Sequence, residues 1–188
     1  METDLQVDTE TALVERAKCG DQEALVEIYQ RFQPPVFSYV YYRVADQALA
    51  EDLTSEVFTR MITKLPAFQL QERPLLAWLF TIARNLIIDH CRTNHQAPFS
   101  LEESRIVDQN NDTPSLAEAR LAQECLGKAM TELTEEQRLV VLLKFVEDRS
   151  NAEVGEILGK TEGSVKSLQH RALAALHRAL EKERCYEA

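Results

Sequence analysis

Proline placement sets the first limit on this chain. Its 6 prolines are Pro34, Pro35, Pro66, Pro74, Pro98 and Pro114, so none falls between 36 and 65 and none after 114. Proline removes a backbone donor and clashes with the preceding turn, and a helix accepts it readily only at its start. Two long windows are therefore open to helices, and apolar spacing fills them. Leu13, Val14 and Ala17 recur at helical spacing as far as Cys19-Gly20. Asp21 is a suitable N-cap for a second helix carrying Leu25, Ile28, Tyr29 and Phe32, which Pro34-Pro35 ends; a third starts there and runs through Tyr42. Asp46 caps a fourth, with Leu49, Leu53, Val57, Met61 and Ile62 on one face. Pro74 fits the first turn of a fifth, through Trp78, Ile82, Leu86 and Asp89 to about Arg92.

Residues 94–114 (NHQAPFSLEESRIVDQNNDTP) lose this periodicity and gain Asn, Asp, Ser and Pro. So long a structureless stretch is uncommon inside one compact domain. The expectation is two domains, 1–93 and 115–188, with 94–114 as a linker. Beyond it, Ser115 caps a helix with Leu116, Leu121 and Leu126. Thr134 to Gln137 is a capping box before Val140, Val141, Leu143 and Phe145. Ser150 to Glu153 is a second, opening a short helix through Leu158 that Gly159 stops. Thr161 caps a last helix to about Arg184. No alternating strand pattern occurs. The 5 glycines in 188 residues are well under half the usual share of roughly 7%. The fold class is all-α: two small helical domains joined by a flexible acidic linker.

With 31 acidic and 21 basic side chains the formal net charge is −10. As a sum, this argues against a nucleic-acid partner. The distribution says otherwise. Residues 75–95 and 160–188 are net basic, at +1 and +2, while the linker region 96–120 stands at −3. Within the last helix, residues 163–178 hold Lys166, Arg171 and Arg178, with His170 and His177 and no acid. Such a run is either a solvated helix face or a phosphate-binding one. No stretch reaches the roughly 18 apolar residues of a membrane span, and the acidic start is no secretory signal. The reading is a cytoplasmic protein without membrane insertion. Cys19, Cys91, Cys125 and Cys185 form no CxxC pair, which suits isolated reduced thiols. His90 beside Cys91, and His170 with His177, lack a third ligand at useful spacing. There is no phosphate-cradling glycine loop, no HExxH, and no nucleophile with a nearby base. The expectation is no cofactor, no metal and no enzymatic chemistry.

NAEVGEILG (151–159) and TEGSVKSLQHRALAAL (161–176) make a short helix, a glycine turn and a longer basic helix. Val154, Ile157, Leu158, Val165, Leu168 and Leu173 would lock the two together. This is the form of a helix-turn-helix, which lays its second helix in the major groove with N-terminal residues on base edges. Here that helix offers Glu162, Gly163, Ser164, Lys166, Ser167, His170 and Arg171, and Thr161 with the N–H groups behind it suits a phosphate.

Four segments in order carry a wider resemblance: AEDLTSEVFTRM (50–61), WLFTIARNLIIDHCR (78–92), LTEEQRLVVLLKF (133–145) and the helix-turn-helix. Together they resemble a bacterial RNA polymerase sigma factor of the sigma-70 family, of the small extracytoplasmic-function (ECF) type. The resemblance covers roughly 10–92 and 116–182. It implies a sigma factor that binds core RNA polymerase, through its beta and beta-prime subunits, and directs promoter-specific initiation under an anti-sigma factor. The first segment resembles the helix that docks on the polymerase clamp helices. Asp52 and Glu56 would meet basic residues there, and Leu53, Val57 and Phe58 would pack; Ser55 stands where the family usually has glutamine.

The second segment resembles the one that melts and reads the minus-ten element. Arg84 and Arg92 would take phosphates, Asn85 would offer a donor and an acceptor, and Phe68, Gln69 and Leu70 would line a pocket for an extruded base. Trp78 reads as core. Asp89 either orients Arg92 or faces the base pocket. The last helix resembles the minus-thirty-five reader, usually TVKSRLHRAR and here SVKSLQHRAL (164–173). Lys166, Ser167, His170 and Arg171 match. Leu168 replaces the usual arginine and Gln169 the usual leucine, so either the contact register differs or Gln169 adds a polar contact. In the linker, Glu102, Glu103 and Asp108 would imitate RNA charge in the polymerase channel, or simply belong to a tether. A duplex-binding helix-turn-helix regulator and a helical adaptor are the rival classes.

Overall fold

A computed structural model describes residues 2–70, 73–93 and 114–182. Every regular element among them is helical. In the N-terminal half these are α1 (Glu2–Lys18), α2 (Gln22–Val44), α3 (Gln47–Lys64), a single 3-10 turn (Leu65–Ala67) and α4 (Leu75–Thr93). In the C-terminal half they are α5 (Pro114–Thr131), α6 (Glu135–Val141), a π-helical turn (Leu142–Val146), α7 (Asn151–Leu158) and α8 (Glu162–Lys182). The linker residues 94–113, with Glu102, Glu103 and Asp108, lie outside the described residues, as do Arg184 and Cys185.

Four of the expected caps are in place, whereas Ser115, expected to cap the helix after the linker, lies inside α5, which already starts at Pro114. The Asp21 carboxylate accepts from the N–H groups of Glu23 and Ala24 at 3.0 and 3.3 Å, and Asp46 accepts from Leu49 at 2.8 Å. Thr134–Gln137 and Ser150–Glu153 are both closed capping boxes. Each satisfies two N–H groups that a helix start otherwise leaves open.

One boundary is different. Pro34 and Pro35 do not end a helix; they lie inside α2, which continues to Val44. The pair costs the helix two backbone hydrogen bonds. Burial on both sides of the pair offsets the loss. Ile28, Phe32, Pro35, Val36, Tyr39 and Val40 form one buried stripe against α3 and α4, and tertiary packing of such a face outweighs local propensity. The π-helical turn is a second departure. It adds a residue to the turn and rotates the side chains that come after it, so Phe145, expected on the apolar face, is 54% exposed.

Cys19 and Cys91 are free thiols, but Cys125 is disulfide-bonded, against the expectation of isolated reduced thiols. No helix among the described residues is long and apolar enough to cross a membrane.

The two halves share one hydrophobic cluster, which runs from Leu13 through Leu79 and Leu86 to Leu133, Leu143, Val154 and Ala172. α2 packs on α5 and on the π-helical turn, and α4 touches α7. Arg138 sits within this region at 2% exposure. Its guanidinium donates to the carbonyls of Met130, Leu133 and Thr131 at 3.0, 2.9 and 3.4 Å, and to Glu135 Oε2 at 3.1 Å. The end of α5 leaves carbonyls without helical partners, and here one cation satisfies them. Burial lowers the Arg138 pKa from its ordinary value and nearby Arg43 adds to that, while Glu135 opposes both.

Replacing Arg138 with Met would take the side-chain donor from the Thr131 and Leu133 carbonyls and remove one of the two cations that face Glu135. Urea unfolding should show a loss of about 3–5 kcal/mol; a loss under about 1 kcal/mol would mean the carbonyls find water instead.

Candidate nucleic-acid and polymerase-facing surfaces

The helix-turn-helix is built by a close approach. The φ of Gly159 is +63°, the left-handed conformation that ends α7. The chain then turns so that Lys160 donates its N–H to the Gly155 carbonyl at 2.7 Å. A Cβ on Gly155 would lie 2.5 Å from the Lys160 carbonyl oxygen, so only glycine lets α7 and the turn come this near. Sequence reasoning misses Gly155; its only signal is a glycine within an otherwise good helical octet.

Val154, Val165, Leu168 and Ala172 are buried between α7 and α8. That leaves Glu162, Gly163, Ser164, Lys166, Ser167, His170 and Arg171 on the open side of α8. Thr161 caps this helix, accepting from the Ser164 N–H at 3.3 Å and donating to the Ser164 hydroxyl at 3.1 Å. Ser164 is thus tied to the cap, whereas Lys166 and His170 project from the exposed face. Arg171 Nε rests on the Ser167 carbonyl at 3.3 Å. Leu168 takes the buried place between Val165 and Ala172, and Gln169 is half-buried beside it. Leu173, expected to help lock the pair, is 39% exposed.

α4 has a sharp division. Leu75, Leu79, Ile82, Ala83, Leu86 and Ile87 are buried, while Arg84, Asn85, Asp89 and Arg92 are exposed and fall along one side. Asp89 and Arg92 stand 4.0 Å apart on an open surface, too loose to fix either side chain. Trp78 is core, as the spacing indicates, and Phe68 stacks flat on it, with centroids 4.3 Å apart. Phe68 is only 5% exposed. The expectation that its ring lines a base pocket is therefore corrected: the ring is spent on Trp78, and in this arrangement it holds the exposed Gln69 beside α4.

On α3, Leu53, Val57 and Phe58 are buried in the chain's own core. Their expected packing is inward, so they position the acidic face and do not form it. Asp52 is exposed, and Glu56 is engaged by Arg60 at 2.7 Å. The Ser55 hydroxyl donates to the Glu51 carbonyl at 2.9 Å. Beside this face lies an apolar patch that sequence reasoning misses. Tyr29 sets its ring edge-on to Phe58, with centroids 4.8 Å apart, and is still 46% exposed, with Val26 and Ile62 exposed as well. Helical spacing groups Tyr29 with the inner face because it neighbours Ile28.

Two segments of the chain match known family models. Residues 28–96 match the family described as Sigma-70 region 2, and residues 123–182 match Sigma-70, region 4. The chain is 39% identical over 173 residues to the ECF RNA polymerase sigma factor BldN of Streptomyces coelicolor, covering 89% of this chain and 64% of that one. It is 30% identical over 173 residues to the ECF RNA polymerase sigma factor SigL of Mycobacterium tuberculosis, covering 91% of this chain and 97% of SigL. Its fold is similar to the sigma factor RpoE solved with the anti-sigma factor NepR from Bartonella quintana, at a TM-score of 0.54 and 22% identity over 82% of this chain and 95% of that one.

Gly155→Ala should lower stability by about 1–3 kcal/mol through overpacking, although alanine is the better helix former. Gly163→Ala, where an added Cβ meets nothing within 4 Å, should raise it by roughly 0.5–1 kcal/mol. Thermal melts of the two variants should move in opposite directions; a stable Gly155→Ala protein would dismiss the close-approach argument.

Proposed function

The chain belongs to the sigma-70 family, among its ECF sigma factors, and from that premise we propose that it directs core RNA polymerase to promoters through two separate DNA-reading helices. The observation that carries this reading is the pairing of charge with exposure. The two net-basic segments of an acidic chain, 75–95 and 160–188, contain α4 and α8, and each presents an open polar side on a buried apolar one. On this reading residues 1–93 form the region 2 domain, 94–114 the linker and 115–188 the region 4 domain.

In region 2, Arg84 and Arg92 take phosphates at the minus-ten element. Asn85 presents its amide to an extruded base, with Gln69 and Asp89 at the margin of that surface. In region 4, Lys166 and Arg171 meet phosphates or guanine edges, while Ser167, His170 and the half-buried Gln169 read bases at the minus-thirty-five element. Because Leu168 is buried, the arginine usual at that position has no counterpart, and the promoter preference of this chain differs accordingly. The exposed Asp52 on α3, with Glu56 and the Tyr29 patch beside it, docks on basic and apolar residues of the beta-prime subunit, and region 4 engages the beta subunit. An anti-sigma factor holds the chain inactive until a signal releases it. The protein acts in the cytoplasm and carries out no covalent chemistry of its own.

Run-off transcription with reconstituted core polymerase tests the assignment. Wild-type chain should yield a promoter-directed transcript. Asn85→Ala should reduce strand opening, read by permanganate reactivity, by roughly tenfold or more, with upstream binding intact. Arg171→Ala should weaken binding roughly equally across sequences if it meets a phosphate, reducing the salt slope by about 1. Unchanged promoter use by both variants would overturn the residue assignments; no transcript from wild type would overturn the function.

A further inference from the structure

One covalent bond has no role in the DNA-reading or polymerase-docking assignments. Cys125 on α5 is disulfide-bonded. The chain has 4 cysteines, of which Cys19 and Cys91 are free thiols. That leaves Cys185, which lies beyond the described residues. The described structure puts the two positions within reach. α8 packs along α5, and Ala179 is buried near its end. Lys182 Nζ, in the last turn of α8, meets Glu132 Oε1 at 3.4 Å, directly after the end of α5 at Thr131. Cys125 comes seven residues before Glu132, about 10 Å back along the helix at ~1.5 Å per residue. Cys185 comes three residues after Lys182, and three extended residues span about 10 Å. A disulfide then bridges Cα atoms about 5–6 Å apart.

We propose that Cys125 and Cys185 form a reversible thiol-oxidation site, and that closing it locks the end of α8 onto α5. The reversibility rests on the cytoplasmic placement that goes with the sigma-factor reading. Thiols there are kept reduced, and a disulfide in such a protein is a transient one that forms when an oxidant arrives. Cys125 is half-buried and not sealed in the core, and disulfides partly open to solvent are the labile ones. The oxidant class is a peroxide. One thiolate attacks the peroxide and breaks its O–O bond; the sulfur becomes a sulfenic acid and one water leaves. The second thiolate attacks that sulfur, forms the S–S bond and displaces hydroxide, which takes a proton and leaves as the second water. Two electrons pass from the sulfurs to the peroxide, and both thiol protons end in water. An excess of a small thiol reverses the bond by exchange.

The bond strengthens a contact that is otherwise weak. Without it, the last turn of α8 is held by the burial of Ala179 and by the Lys182–Glu132 pair. Those two side chains are 67% and 55% exposed, and such a surface pair contributes little. The disulfide closes a loop of about 60 residues that contains α6, α7 and α8. It therefore removes freedom from the unfolded C-terminal half and favours the folded one.

The test uses the full chain, first reduced and then treated with stoichiometric hydrogen peroxide. Peptide mass spectrometry without reductant should find Cys125 and Cys185 in one linked peptide of a monomer, two hydrogens lighter than the free pair. Excess reduced glutathione should part it. Amide exchange in residues 175–182 should be at least roughly tenfold slower in the oxidised chain, with α3 unchanged. Cys185→Ser should exchange as the reduced wild type does, with or without peroxide. Cys19→Ser combined with Cys91→Ser should keep the wild-type response. Linkage of Cys125 to Cys19, to Cys91 or to a second chain overturns the assignment. A bond that resists excess glutathione overturns the reversibility, and equal exchange in the two forms overturns the lock. None of these readouts uses polymerase or DNA, so a missing promoter transcript counts against the sigma-factor reading alone and leaves them in force.

Discussion

The guanidinium of Arg138 is the contact on which the C-terminal half depends. A helix as long as α5 must dispose of its last carbonyls, and no glycine cap comes after it to help. Arg138 reaches back from α6 and gathers those of Met130 and Thr131, together with the Leu133 carbonyl just beyond the helix. This fixes α5 against α6 at a tight corner, and the corner orients Glu135. Glu135 is in turn the only described carboxylate bound by both halves of the chain. Burial, and then the adjacent carboxylate, push the Tyr39 phenol well above its ordinary pKa, so it remains a donor. One buried cation thus sets the geometry of a helix end, a capping turn and the junction between the halves.

The acidity of the chain takes a different meaning in this arrangement. As a total it repels DNA phosphates, and a long-range field of that sign slows any encounter of the free protein with duplex. Locally, α4 and α8 carry arginine, lysine and amide groups on open faces. The combination fits a subunit that binds promoters only when a larger, basic partner has absorbed its acidic surfaces.

Much of this is legible in the sequence because the signals are local. Asp21, Asp46, Thr134 and Ser150 cap where they should, since a cap depends on the next three residues alone. The split of α4 into a buried and an open side comes from its 3.6-residue period. The features that escape are non-local. Pro34-Pro35 survive within α2 because distant helices bury its stripe, which no short window can register. Phe68 is withdrawn into a stack with Trp78 by the same kind of contact. Leu53, Val57 and Phe58 have the spacing of a docking face and the spacing of a core, and the periodicity cannot separate the two. The role of Gly155 depends on a carbonyl five residues away across a turn, and the rotation of Phe145 on a π-helical insertion that leaves the composition unmarked.

On this reading the chain engages promoters as part of a holoenzyme and not alone. The most direct measurement is a gel shift on promoter duplex with free chain, with core polymerase and with both together, at fixed salt. A specific shift is expected only when chain and core are combined. Strong sequence-specific binding by the free chain would contradict it and would place the protein among duplex-binding regulators.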